Sequence, residues 1–129
     1  MIKQVINIKR YWKVIVYYDL GYNLFYDVIT ELEKIGAKEG DADKIYYMLS
    51  TGIAKAVTYS NTSKHTSIVI FTEHKDKQDY INSIVHEAEH IKQHMLNAYN
   101  VKDKGEAPAY TIGYIVMKML MINKKIKVL

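Results

Sequence analysis

The chain has no cysteine, and only one proline, one tryptophan and one arginine among its 129 residues. Without cysteine there are no disulfides and no thiolate ligands, so any metal must be held by histidine and carboxylate. The same absence removes a mark of an oxidising compartment, and residues 1–7 lack the basic, apolar and small-residue zones of a secretory signal, so a cytoplasmic setting is expected. No stretch is apolar for 18 residues or more, which argues against a membrane-spanning helix. The net charge of +4 is mild, and apart from Arg10 the basic residues are lysines scattered along the chain. That pattern gives no footprint for nucleic acid. The densest basic group, Lys124, Lys125 and Lys127, reads as solvated surface. Repeats, linkers and low-complexity segments are absent too, so one domain over residues 1–129 is expected.

What is present suits a packed core. Hydrophobic residues make up 49% of the chain, which argues against disorder, and 12 tyrosines suit half-buried strands and protein interfaces alike. Residues 2–8 read as an extended segment and 11–19, rich in β-branched and aromatic residues, as a strand. Asn23 can cap a helix to about Ile35, with Leu24, Val28, Ile29 and Leu32 on one face and Gly36 as its stop. Asp41 or Asp43 starts a second helix that ends near Leu49. Residues 53–59 and 67–72 read as two strands around a polar turn at 61–65. The unbroken apolar run Ile68 to Phe71 marks an inner strand and leaves 53–59 near an edge.

A long helix then runs from Asp76 or Lys77 to about Asn97, and after a loop at 100–105 Glu106 opens the last helix, with Pro108 in its first turn. Between Tyr110 and Ile122 only Thr111 and Lys118 are clearly polar, so this helix belongs to the core or faces a partner. Val128 and Leu129 form a short terminal strand or trail. The fold class expected is α+β: a small sheet, mostly antiparallel or mixed, packed on the long helix and the C-terminal helix.

The long helix contains H-E-x-x-H as His86, Glu87 and His90. Helical residues four apart share a face at about 6 Å, so both imidazoles can reach one zinc ion. Glu87 projects about 100° from His86, placed to hold a water rather than to ligate. Zinc brings the pKa of water toward about 7, and the carboxylate takes the proton as the water attacks a carbonyl. Helical angles gather Ile81, Ile84, Val85, Ala88, Ile91, Met95, Leu96 and Tyr99 on one arc, with His86 and His90 opposite, facing a cleft. The plainer reading is a solvent-facing histidine pair on an amphipathic helix.

A catalytic zinc takes three protein ligands. His94 is eight residues, or about 12 Å of helix, from His86, too far to share one ion; it reads as a surface or supporting residue, with a substrate contact open. Glu106 is the leading third ligand, able to point back after the short loop, with Gly113 two turns on allowing a close approach of the helices. The plainer reading of Glu106 is a helix-start carboxylate favoured by the dipole. Asp103, Glu89 and His74 are the reserves. Tyr110 shares the Glu106 face and can steady an oxyanion, or be a core tyrosine. His65, in the polar turn, reads as surface.

The order strand, hairpin, H-E-x-x-H helix, short connection and second helix with a Glu resembles the zincin metallopeptidases over residues 53–122, and the Glu makes it most similar to their small gluzincin-type members. The resemblance implies zinc held by His86, His90 and Glu106, with Glu87 as general base. It also implies an edge strand, residues 54–59, that pairs with an extended peptide substrate. Glu106 follows the second histidine sooner than in the large members. The usage of Lys, Asn, Ile and Tyr resembles that of small zincin-like proteins encoded by bacteriophages and mobile elements, which implies the host cytoplasm or a virion.

Two functions follow. The first is a zinc-dependent peptidase acting on a peptide or protein, with Glu87 as base and Tyr110 or a histidine at the oxyanion; a variant of it serves a single regulatory partner protein. The alternative is a non-enzymatic phage virion or assembly subunit, a connector or ring component that keeps the fold and forms homo-oligomers or binds partners through its apolar C-terminal helix. Intact His86, Glu87 and His90 favour the first.

Overall fold

A computed structural model describes residues 2–21 and 25–122. Its elements are β1 (Ile2–Ile8), β2 (Trp12–Leu20), α1 (Phe25–Lys34), α2 (Glu39–Ser50), β3 (Ala56–Asn61), β4 (Thr66–Thr72), α3 (Lys77–Ala98) and α4 (Glu106–Leu120). The Asn23 cap, Leu24, the lysines of the tail, and Val128 with Leu129 lie outside the described residues.

The four strands form one mixed sheet in the order β1-β2-β4-β3. β1 and β2 make an antiparallel hairpin, with Ile8 opposite Trp12 at its closed end. β3 and β4 pair antiparallel, with Ser60 opposite Ser67. β2 runs parallel to β4, a pairing that needs a long crossover, supplied here by α1, α2 and β3. The expected edge position of the first strand of the second hairpin and the inner position of the second are both observed.

Side chains alternate across the sheet with period two, so each strand feeds both faces. Val14, Val16 and Tyr18 of β2 and Val69 and Phe71 of β4 face α3 and α4, where they meet Tyr80, Ile84, Ile91, Ile115 and Met119. Ile15, Tyr17, Ile68 and Ile70 face the other way, onto Val28 and Leu32 of α1 and Ile45 and Leu49 of α2. β4 is therefore buried on both sides, which is why its sequence is unbroken rather than alternating. The molecule is α+β, with a pair of helices on each face of the sheet, α3 and α4 on one and α1 and α2 on the other.

The helix ends differ slightly from expectation. α2 starts at Glu39, ahead of Asp41, and its N-cap Lys38 makes no side-chain cap. α3 starts as expected, with the Asp76 carboxylate accepting from the Asp79 amide at 2.8 Å. α4 is neither wholly core nor wholly surface: Pro108, Ile115 and Met119 are buried, while Tyr110, Met117 and Met121 are exposed. Among the described residues no helix is long and apolar enough to cross a membrane.

Candidate metal centre

The site begins with how α3 lies on the sheet. Its buried positions are Tyr80, Ile84, Glu87, Ala88, Ile91 and Lys92, whereas Val85 and Tyr99 are exposed. The helix is thus rolled toward β3 relative to the arc expected from its apolar residues. The roll is possible because the polar groups it buries find partners, which offsets their desolvation. The Glu87 Oε1 accepts from Thr58 Oγ1 of β3 at 2.8 Å, and Glu87 is only 4% exposed. Oε2 has no hydrogen bond to a described residue. Lys92 Nζ lies 2.9 Å from both Glu89 and Asp103.

His86 and His90 project from the side of the helix next to Glu87 and are exposed. Their Nε2 atoms are 3.1 Å apart, one donating to the other, and their rings are nearly perpendicular at 80°. In a tetrahedral zinc site with Zn–N bonds of about 2.0–2.1 Å, two ligand nitrogens stand about 3.3 Å apart. The pair therefore has the separation of two adjacent corners of such a site, and its nitrogens converge rather than diverge.

Among the described residues no group of three or more histidines and carboxylates is close enough together to hold a metal ion. The structure brings His86 and His90 together and leaves Glu106 outside the pair, exposed in the first turn of α4. Glu106 lines a shallow depression on that helix with Ala109, Tyr110 and Gly113, and makes no hydrogen bond to a described residue. Tyr110 is 74% exposed on the same depression. Gly113 does not serve the close approach expected of it: a Cβ built there meets nothing within 4 Å.

The three reserves are committed elsewhere. His74 is buried, with Nδ1 donating to the Thr72 carbonyl and Nε2 paired with Ser83 Oγ, both at 2.8 Å, so neither nitrogen is open to a metal. Asp103 takes Lys92 at 2.9 Å and Gln93 at 2.6 Å, and Glu89 takes Lys92 at 2.9 Å and Gln93 at 3.0 Å. The Lys92 and Gln93 bonds hold the carboxyls of Asp103 and Glu89 below their usual range. This cluster ties α3 to the loop that leads into α4. His65 is a surface residue, as expected, but stacks on Trp12 at 5.6 Å between ring centroids.

Sequence reasoning missed a polar track beside the pair. His94 Nδ1 is 2.6 Å from Ser60 Oγ, Ser60 Oγ is 2.6 Å from Ser67 Oγ, and Trp12 Nε1 donates to Ser67 at 2.8 Å. Burial, with His90 nearby, pushes the His94 pKa down. A signal was present: Thr58 and Ser60 are alternate residues of one strand and so share a face, an unusual place for two hydroxyls unless something polar lies opposite.

Comparison with protein-family models, with curated proteins and with solved structures finds no match for this chain.

Proposed function

We propose that the chain is a small zinc-dependent peptidase of the zincin type, gluzincin-like in its ligands. The observation that carries the reading is the convergent His86–His90 pair, 3.1 Å apart, flanking a buried Glu87 that is tied to the edge strand. In this reading His86, His90 and Glu106 would hold the metal, and Glu106 stands outside the pair in this structure. Bound zinc supplies Lewis acidity and makes water nucleophilic near neutral pH.

The remaining work falls to the chain's own groups. Thr58 fixes Glu87 through Oε1, which leaves Oε2 to accept a proton from the attacking water and pass it to the leaving amine. Among the described residues strand β3 has a neighbour on one side only, so its outer edge suits an extended peptide substrate. Tyr110, the phenol this reading assigns to the oxyanion, stands with Glu106 on the exposed face of α4 in this structure.

The test is digestion of a mixed peptide library by zinc-loaded protein, read by mass spectrometry, beside Glu87→Gln. Cleavage reduced at least about 100-fold in the variant, with its zinc retained, is expected. No cleavage by the wild type, or equal cleavage by both, sinks the reading.

A second reading has its own support. α4 turns Tyr110 and Met117 outward, as does Met121 at its C-terminal cap. A groove of about 1140 Å³ lies between the end of α3 and the start of α4, walled by Tyr11, Tyr99, Tyr110 and Tyr114. An assembly subunit, such as a phage connector or ring component, would use such a surface against a second copy or a partner. Native mass spectrometry separates the readings: a ring favours assembly, a monomer the peptidase.

A further inference from the structure

We infer that His94 is a neutral hydrogen-bond donor to a substrate carbonyl, held in that role by a one-way chain of hydrogen bonds from Trp12. The substrate in this statement rests on the peptidase reading; the position of the proton rests on the hydrogen bonds alone.

The sense of the chain follows from counting hydrogens. The indole Nε1–H of Trp12 can only donate, and it meets Ser67 Oγ at 2.8 Å. Ser67 is fully buried, and its hydroxyl has one other partner among the described residues, Ser60 Oγ at 2.6 Å. Having accepted from Trp12, Ser67 must send its own hydrogen to Ser60, since a buried hydroxyl hydrogen without an acceptor loses its hydration for nothing. Ser60 then accepts from Ser67, and its hydrogen goes to His94 Nδ1 at 2.6 Å. Nδ1 is therefore an acceptor, and the proton of the neutral ring sits on Nε2. A proton on Nδ1 would leave either the Ser67 or the Ser60 hydrogen without an acceptor among the described residues.

Two consequences follow. A metal ligand needs a lone pair, but His94 spends that of Nδ1 on Ser60 and protonates Nε2, so it is not a ligand in this state. Its Nε2–H has no partner among the described residues. The ring sits one turn beyond His90, centroids 6.1 Å apart, on the side of α3 that faces the edge strand. There the N–H is oriented before substrate arrives, the condition under which a donor contributes most to a developing oxyanion. The histidines of α3 divide the work: His86 and His90 converge, and His94 donates.

Long-range ¹H–¹⁵N correlation NMR on metal-free protein reads which ring nitrogen carries the proton. The proton on Nε2 is expected for His94, with a mixture of tautomers in Ser60→Ala; a proton on Nδ1 in the wild type overturns the inference whatever the activity. In zinc-loaded protein, His94→Phe should keep its zinc and its KM while kcat falls about 100-fold. Zinc lost with the ring would make His94 a ligand and overturn the donor role. An unchanged kcat would overturn it while leaving the peptidase reading intact. An inert wild type would remove that reading and the donor role together, and is distinguished by the wild-type assay alone.

Discussion

Thr58 on the edge strand donates to Glu87 on the H-E-x-x-H helix at 2.8 Å, a bond between residues 29 positions apart. It joins the strand proposed to hold substrate to the group proposed to move the proton. Thr58→Val keeps the shape and removes the donor, leaving a buried carboxylate short of its partner. A loss of about 1–3 kcal/mol in urea unfolding is expected, whereas Glu87→Gln, which can still accept from Thr58, should cost less. Equal midpoints for Thr58→Val and wild type would show that the bond contributes nothing.

Much of this architecture was legible in the chain. The run Ile68 to Phe71 marked an inner strand, and Asp76 with Asp79 marked the start of the long helix. The parallel pairing of β2 with β4 was not legible, because periodicity tells which face a residue takes but not which strand lies beside it. The roll of α3 was missed for a related reason. A helical wheel puts Glu87 off the apolar arc, and only its distant partner Thr58 explains why it is buried, while Lys92 falls within the arc and is held there by Asp103. The histidine pair was readable from spacing alone; the track from Trp12 to His94 depends on which residues face each other across three strands.

The cluster of Lys92, Glu89 and Asp103 should make the junction between α3 and α4 sensitive to pH. Both carboxyls have folded pKa values below their unfolded ones near about 4. Their contribution is present above that range and is lost as pH falls through the folded values. The Lys92 amine is raised by the same bonds, so its contribution is full below about 10.4 and is lost as pH rises through its folded value. Thermal melts from pH 7 down to 3 should show a fall in midpoint that is smaller in Asp103→Asn than in wild type. Parallel curves would contradict the coupling.

One substitution should raise stability and a second should cost none. Gly113 sits inside α4 with open space where a Cβ would go, so Gly113→Ala should add about 1 kcal/mol through helix propensity. Destabilisation there would mean that the helices do approach closely at this point. The Tyr80 hydroxyl is buried without a partner among the described residues. Tyr80→Phe should therefore be neutral or stabilising by up to about 1 kcal/mol, as chemical denaturation would show.

The most direct test of the whole account is the metal content of the purified, zinc-supplemented protein, measured by mass spectrometry beside His86→Ala and Glu106→Ala. The account predicts about one zinc per chain in the wild type, none in His86→Ala, and weakened or lost zinc in Glu106→Ala. Full zinc in Glu106→Ala would keep the histidine pair but remove Glu106 as the third ligand. A wild type without zinc would contradict the central claim.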